Sequence, residues 1–280
     1  MFERITNSWE LIKASAAVLR ADKELVVFPI VASIGVLIVT ATFALPMLLA
    51  DFFDAVVAGD SAFLGVVVAF LFYLVQYFVI FFANSALVGA AMIRLRGGDP
   101  TVGDGFRIAF SHVGAILGYA LISATVGMVL RWLSERGGII GRIVSSLIGL
   151  AWNVATYLVV PVLVMEGIGP VDAIKRSVDL LKKTWGEQIV GNFSIGLVFG
   201  LLSLLAVLLG VPAIVLAVMS ESVALVVLAV LVLVLVLVFM GLINSTLSGI
   251  YTAAVYQYAA TGETGGYLRQ DLVQHAFRHK

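Results

Sequence analysis

Six long runs without an ionisable side chain constrain this sequence more than any other feature. The runs, which lack Asp, Glu, Lys, Arg and His, cover residues 25–50, 61–93, 113–130, 143–165, 188–220 and 222–262. A helix needs about 20 apolar residues to cross a hydrocarbon core that is about 30 Å thick. Each run approaches or exceeds that length, so the sequence predicts an all-α integral membrane protein with six transmembrane helices.

Composition excludes several classes of function. The 280 residues are 61% hydrophobic and 12% charged, whereas a soluble domain has roughly 25% charged residues. The formal net charge is zero, so no polycationic surface is expected for nucleic acid. Cysteine is absent, which removes disulfides, thiol nucleophiles and cysteine-held metals. Acidic residues precede the first apolar run, and we therefore expect no cleaved signal peptide.

The distribution of Lys and Arg predicts the orientation. If the N-terminus lies in the cytoplasm, only Arg131, Arg136 and Arg142 of the 17 basic residues fall on the outer side. Basic residues concentrate in cytoplasmic connections, so we expect a multi-pass protein of the cell membrane with both termini cytoplasmic. The three outer arginines either extend toward outer head groups or form a small anion or partner site with Glu135.

A phrase of small and polar residues occurs twice, as NSALVG at residues 84–89 and as NSTLSG at residues 244–249. Residues 12–20 also align with residues 174–182, with Ile, Lys, Ser, Leu and a second basic residue at equivalent positions. The sequence therefore predicts a repeated unit of one amphipathic helix, one outward span and one inward span. We place repeat 1 at about 4–98, repeat 2 at about 99–167 and repeat 3 at about 168–262, in one membrane domain (1–280) with a cytoplasmic tail at 263–280.

An apolar stripe at helical spacing precedes each odd-numbered span. The stripes are Ile5, Trp9, Ile12, Ala16 and Leu19; Val102, Phe106, Ala109 and Val113; and Val171, Ile174, Val178, Leu181 and Trp185. Four basic residues, Lys13, Arg20, Lys175 and Lys182, fall off these stripes. This pattern predicts cytoplasmic helices in the inner interface with their cations toward lipid head groups. Because each unit crosses twice, the three hairpins are parallel repeats about a pseudo-threefold axis along the membrane normal.

The opening segment SWELIKASAAVLRADKELVVFPI resembles a family of six-span bacterial and archaeal membrane proteins of unknown function. The shared features are Ser8-Trp9, the acidic and basic stretch at residues 21–24, and Pro29. The segment PVDAIKRSVDLLKKTWGEQIVGNF is similar to the YciC-like and glycerophosphodiesterase membrane-domain group. These motifs are structural, so the resemblance implies a six-helix fold and brings no catalytic residues.

Polar residues inside the apolar runs are the candidate site. The set comprises Asn84, Ser85, Asn153, Asn244 and Ser245. Such side chains commonly hydrogen-bond between packed membrane helices, for about 0.6–2 kcal/mol each. Alternatively, the three asparagines ring the pseudo-threefold axis and line a polar cavity or path.

No catalytic constellation stands out in the sequence. HExxH, GxxxxGK[ST] and GxSxG are absent, and the runs contain no acid that could relay a proton. We therefore expect a non-enzymatic protein without cofactor or metal, acting as a scaffold, an assembly factor or a lipid-interacting bundle. Its partners would be membrane lipids, a second copy or another membrane protein. The alternative is a passive channel or transporter for small apolar or zwitterionic solutes or lipids along the axis.

Overall fold

The computed structural model describes residues 13, 15–49, 62–183 and 188–262, and every regular element in this part of the chain is helical. A helical segment at 15–21 and a 3-10 turn at Lys23–Val26 precede the α-helices. These are α1 (Val27–Leu49), α2 (Ala62–Leu95), α3 (Val102–Ser111), α4 (Val113–Arg136), α5 (Gly138–Ala155), α6 (Val159–Glu166), α7 (Pro170–Lys183), α8 (Gln188–Met219) and α9 (Val223–Thr261).

Six helical stretches are long and apolar enough to cross a membrane. They are Lys23–Pro46, Phe63–Leu95, Val113–Arg136, Gly138–Glu166, Ile195–Met219 and Val223–Thr261. The prediction of an all-helical protein with six membrane spans is thereby confirmed. The molecule is a multi-pass membrane protein by the length and composition of these helices.

The connection between α8 and α9 is as short as the sequence predicts. Glu221 occupies the left-handed backbone region at φ 54°, which reverses the chain between the two helices. Ser222 then caps α9, since its hydroxyl accepts a hydrogen bond from the Leu225 amide. The β-branched run at 231–239 is helical, because a backbone in lipid must satisfy its own hydrogen bonds.

The fourth span is interrupted, whereas the sequence analysis predicts one continuous helix over 143–165. Helix α5 ends at Ala155, residues 156–158 form a turn, and α6 resumes at Val159. The physical reason is Pro161, which has no amide hydrogen and whose ring would collide with the carbonyl group four residues earlier. Pro161 is accommodated in the first turn of α6, where intrahelical donors are not required. The free Leu158 amide instead donates to the Ser177 hydroxyl at 3.1 Å.

Burial divides α2, the α5–α6 span and α9 each into two parts. In α2 the buried residues begin at Ala83, in the α5–α6 span they become continuous at Leu158, and in α9 they begin at Thr246. We call the segments 83–95, 158–164 and 246–257 the hub. The three hub segments contact one another pairwise, and most of their side chains are buried.

The other parts of these three spans are exposed or half-buried. We call the segments 63–82, 138–155 and 223–245 the arms. In the arms of α2 and α9 no residue is buried, and in α5 only Gly141 and Ser145 are. The stretch 223–243 would be about 31 Å long at 1.5 Å per residue, close to the thickness of a bilayer core. The length of this stretch therefore matches the thickness of the hydrocarbon layer of a bilayer.

The short helices α3 and α7 are built into the hub. Helix α3 packs on α2 and α4, whereas α7 packs on α4, α5, α6 and α9. A Cβ atom at Gly105 of α3 would lie 2.7 Å from the Ala86 carbonyl oxygen and would also overlap the Phe28 ring, so only glycine allows this approach. In α7 the buried residues are Ala173, Ser177, Leu180 and Leu181, whereas Val171 is 55% exposed. The buried face of α7 is therefore turned by one residue from the predicted stripe at Val171.

Candidate functional site

The asparagines of the two repeated phrases lie where the arms meet the hub. Asn84 is half-buried at the start of the α2 hub segment, and Asn244 is half-buried at the end of the α9 arm. A Cβ atom at Gly249 would lie 3.5 Å from Asn84 Oδ1 and 3.0 Å from Leu87 Cγ. The small residue of the α9 phrase therefore brings α9 close to the asparagine of the α2 phrase.

Two members of the predicted polar set have buried atoms without a hydrogen-bond partner among the described residues. They are the Asn244 Oδ1 atom and the Ser85 hydroxyl. A buried polar atom without a partner is unfavourable by roughly 1–3 kcal/mol. At the boundary between the hub and the arms, two buried polar groups can therefore still accept or donate a hydrogen bond.

The remaining members of the set point outward. Asn153, near the end of α5, and Ser245 of α9 are both exposed. The structure thus brings Asn84 next to α9 but does not bury the three asparagines together between the inward spans.

A polar contact joins the interrupted span to α9 just inside the hub. The Thr252 and Tyr157 hydroxyl oxygens lie 3.3 Å apart, within hydrogen-bond distance, and the Thr252 hydroxyl donates to the Ser248 carbonyl group of its own helix at 2.8 Å. Tyr157 lies in the turn between α5 and α6. The sequence analysis missed this pair, although Pro161 could have signalled the turn that presents Tyr157.

An ion-paired cluster lies at the rim of the hub, where α1 begins and α2 ends. Asp22 is 5% exposed, and both the Nε and the NH2 nitrogen of Arg94 lie 3.4 Å from its Oδ2 atom. Arg94 also pairs with Asp99. Burial raises the pKa of the Asp22 carboxyl above its usual value of 3.8, and the nearby Arg94 guanidinium partly offsets this effect.

Two acids at the same rim fix the start of α3. The Thr101 hydroxyl accepts from the Asp104 amide, and the Asp104 carboxylate accepts from the Thr101 amide, which together form a capping box. Glu24 adds a third contact by accepting from the Val102 amide at 3.2 Å. The hydrogen bonds from Thr101 lower the pKa of Asp104 below its usual range. Asp104 and Glu24 therefore have structural roles.

A second ion-paired cluster joins three elements of the hub. Arg176 Nε of α7 lies 3.0 Å and 3.1 Å from the two carboxylate oxygens of Glu166 at the end of α6, and Tyr256 of α9 donates to Glu166 at 3.2 Å. The sequence contains Glu166 at a turn but gives no sign of its partners. The contacts hold α6, α7 and α9 together.

The four predicted inner basic residues are all exposed. Lys175 pairs with Asp172 at 3.2 Å, and Lys182 pairs with Asp179 at 3.7 Å. These pairs reduce the positive charge that α7 presents. Lys13 and Arg20 lie on the first helical segment.

The three predicted outer basic residues lie at the turn between α4 and α5. Arg131 pairs with Glu135 at 2.7 Å and donates to the Tyr73 hydroxyl at 2.6 Å. The Arg136 guanidinium lies 5.5 Å from the centre of the Trp132 ring. Arg142 is exposed on the first turns of α5. In residues 13, 15–49, 62–183 and 188–262, no group of three or more His, Asp or Glu side chains could hold a metal ion.

The part of the chain that the structure describes, with its six apolar spans and ion-paired hub, is that of an all-helical multi-pass membrane protein. The profile of a protein family matches residues 63–266, which is more than half of the chain. The chain therefore belongs to that family, which is described as "Family of unknown function (DUF6159)". No curated protein and no solved structure matches the chain. The comparisons give no support to the resemblance to the YciC-like group.

Proposed function

We propose that this protein is a non-enzymatic scaffold of the cell membrane that acts through its contacts with lipid. The observation that carries the proposal is the contrast between the filled hub and the exposed arms. The hub segments pack on one another through buried apolar side chains such as Leu87, Leu163 and Ile250. The carboxylates closest to the hub, Asp22 and Glu166, are held by arginines and are not free for acid–base chemistry.

A three-repeat architecture is part of this proposal. Each predicted hairpin, α1–α2, α4–α5 and α8–α9, has two helices in contact. The aligned serines of repeats 1 and 3, Ser15 and Ser177, are both buried. Helix α2, the second span of repeat 1, packs on α4, the first span of repeat 2. In the same way α9, the second span of repeat 3, packs on α1, the first span of repeat 1. These equivalent contacts are what a pseudo-threefold arrangement requires.

A passive channel or transporter along the axis is the second candidate. It is favoured by the buried Asn244 Oδ1 and Ser85 hydroxyl, which lack partners and could contact water or a solute. Against it, the hub segments leave little room at one end of the axis, since Leu87 lies against Gly249. A conducting path would require the hub to open.

A flux measurement distinguishes the two candidates. The full chain is reconstituted in liposomes, and the efflux of glycerol and glycine is compared with that from protein-free liposomes. The scaffold proposal predicts equal efflux rates. Efflux that exceeds this baseline and disappears in the Asn84→Leu, Asn153→Leu, Asn244→Leu triple variant would replace the scaffold by a transporter.

Both termini are proposed to be cytoplasmic, with α3 and α7 at the inner face. The chain contains no cysteine, so single cysteines can be placed without background. In intact cells, a membrane-impermeant maleimide should label a cysteine at exposed Glu221 but not one at exposed Asp99. The reverse labelling pattern would invert the proposed orientation.

A further inference from the structure

The junction between repeats 2 and 3 differs from the other two junctions. Helices α2 and α4 pack together, and so do α9 and α1. The equivalent contact at the third junction would join α5 to α8. Among the described residues α8 packs chiefly on α9, and α5 packs on α4 and α7, so no extended contact closes this junction. The ring of arms is therefore open to the side between α5 and α8.

Helix α9 turns polar residues toward this opening. Successive residues of an α-helix are rotated by about 100°, so Ser245 and Ser248 lie within about 40° of Thr252, which contacts Tyr157. By the same geometry, Asn244 is rotated about 80° from Thr252 around the axis of α9. This rotation is toward the side that carries Leu233, whereas Gly249 lies on the opposite side of Thr252. Leu233 is the residue that meets Gly210 of α8, and Gly249 meets α2. Asn244 and Ser248 therefore face the space between α8 and the turn at Tyr157.

The other two walls of the opening are also free. On α5, the exposed amide of Asn153 lies one helical turn before Tyr157. On α8, Gly196 and Gly200 are exposed, and a Cβ atom at either position would have nothing within 4 Å. We call this space the lateral cleft. The Tyr157–Thr252 hydrogen bond forms its floor.

The chemistry of the lateral cleft changes along its length. Near the floor, its described residues present amide and hydroxyl groups and no ionised side chain, and farther along the arms it presents exposed Leu147, Leu150, Val234 and Val238. An amide that faces hydrocarbon without a partner is unfavourable by a few kcal/mol. The occupant must therefore be uncharged and polar at the floor and apolar along the arms.

We propose that the lateral cleft binds a diacyl glycerolipid, with its ester groups at Asn153, Asn244 and Ser248 and its acyl chains along the arms of α5 and α9. This inference rests on the proposed lipid interaction and gives it a site. The NH2 group of an Asn side chain donates hydrogen bonds, so Asn153 and Asn244 can each donate to an ester carbonyl. Lipid is also the solvent at the depth of the arms, so the occupant can enter sideways.

Photocrosslinking of the full chain in nanodiscs tests the site. The probe is phosphatidylethanolamine with a diazirine near the ester end of one acyl chain, diluted in unlabelled phosphatidylethanolamine. We expect adducts to concentrate on residues 196–203 and 241–248. Gly196→Leu with Gly200→Leu fills one wall and should lower this yield about tenfold, the ratio that 1.4 kcal/mol represents. Gly114→Leu is the matched control, because Gly114 of α4 is exposed and has nothing within 4 Å, and it should leave the yield unchanged.

The outcomes separate this site from the broader proposal. Equal adduct density on all arms, unchanged in the Gly196→Leu, Gly200→Leu variant, would overturn the site and leave lipid contact by the arms intact. Absence of adducts from every arm would overturn both. Efficient disulfide-linked dimers of a Ser245→Cys variant would assign the cleft to a second copy of the chain and overturn the lipid assignment.

A second comparison tests the role of the amides. Asn153→Leu with Asn244→Leu keeps the branched side-chain shape and the number of heavy atoms and removes the polar groups. This variant should lower crosslinking of the diester lipid several-fold but change little with a diether analogue, which has no carbonyl groups. An equal loss with both lipids would show that the asparagines do not bind the ester groups.

Discussion

The two parts of helix α9 share one uninterrupted backbone and have opposite environments. In the arm at 223–245, Leu, Val and Ala predominate and no residue is buried, whereas the hub segment at 246–257 contains Thr, Ser, Tyr and Gln and is mostly buried. Burial therefore runs against hydrophobicity within the helix. In lipid, exposed leucine is already in an apolar solvent, so packing has to be driven by close fit and by polar contacts.

Helix α2 shows the same change at the equivalent place. Its arm carries aromatic and β-branched residues, and its hub segment begins with Ala83, Asn84 and Ser85. The repeated phrase marks the position at which burial begins in α2 and in α9. We derive five predictions from the comparison of hub with arm, given from the largest expected effect to the smallest.

Arg94→Gln at the rim of the hub should have the largest effect. It leaves the buried Asp22 carboxylate without its partner, and removing one member of a buried pair typically lowers the free energy of unfolding by about 3–5 kcal/mol. Arg107→Gln is the matched control, since Arg107 is 81% exposed and pairs only at i, i+3 with Asp104. Unfolding in detergent measures both variants. An equal decrease in the free energy of unfolding for the two substitutions would contradict a buried Asp22–Arg94 pair.

The same variant should regain stability in acid. The folded pKa of Asp22 lies above 3.8, so the folded state takes up a proton at a higher pH than the unfolded state. Its contribution to stability therefore improves as the pH falls through the folded pKa and levels off below 3.8. Removal of Arg94 raises that pKa further. A stability difference between wild type and Arg94→Gln that is independent of pH would argue against Asp22 as the responsible group.

Ile250→Ala and Leu235→Ala compare apolar side chains in the two parts of α9. Ile250 is 1% exposed in the hub, whereas Leu235 is 58% exposed in the arm. Truncation in a packed interior lowers the free energy of unfolding by about 2–5 kcal/mol, and truncation against lipid should change it by well under about 1 kcal/mol. Unfolding curves recorded in bicelles provide the measurement. Comparable losses for both variants would mean that the arm is packed against protein.

Gly249→Ala and Gly241→Ala compare close approach within the same helix. A methyl group at position 249 would overlap Leu87, whereas one at position 241 would meet nothing within 4 Å. Overpacking should destabilise the first variant by about 1–3 kcal/mol, and the second should be neutral or more stable by up to about 1 kcal/mol. The thermal midpoint of each variant gives the ranking. A lower thermal midpoint for Gly241→Ala than for Gly249→Ala would contradict the close contact between α9 and α2.

Thr101→Ala tests the capping box that begins α3, with an expected loss of about 0.5–2 kcal/mol. Because the pKa of Asp104 is lowered, its stabilising contribution is present above its ordinary pKa and is lost as the pH falls through the folded value. The effect of Thr101→Ala should therefore shrink in acid, as measured by unfolding at two pH values. Gly103→Ala, where only Thr101 Oγ1 lies nearby at 3.6 Å, serves as the control.

The sequence was sufficient for the spans and for the positions of polar residues, and insufficient for their partners. Charge-free runs specify membrane helices because the bilayer excludes charge. Glu221 is the single charged residue between the last two runs, so it had to lie in the turn of a helical hairpin. The turn at 156–158 was missed because hydropathy carries no information about the clash between the Pro161 ring and the carbonyl group four residues earlier. The pairs Asp22–Arg94 and Glu166–Arg176 depend on how elements meet, which neither periodicity nor composition contains.

A cysteine scan along α9 tests the change from arm to hub most directly. Single cysteines at each position from 225 to 257 would be labelled with a nitroxide in the reconstituted protein, and collision with oxygen and with a water-soluble nickel complex would be measured. We expect frequent collision with oxygen on several faces of the helix up to about residue 243. From Thr246 to Gln257 we expect infrequent collision with both reagents, except near the half-buried positions Ser248 and Thr252. High oxygen collision that continues through residue 257 would contradict it.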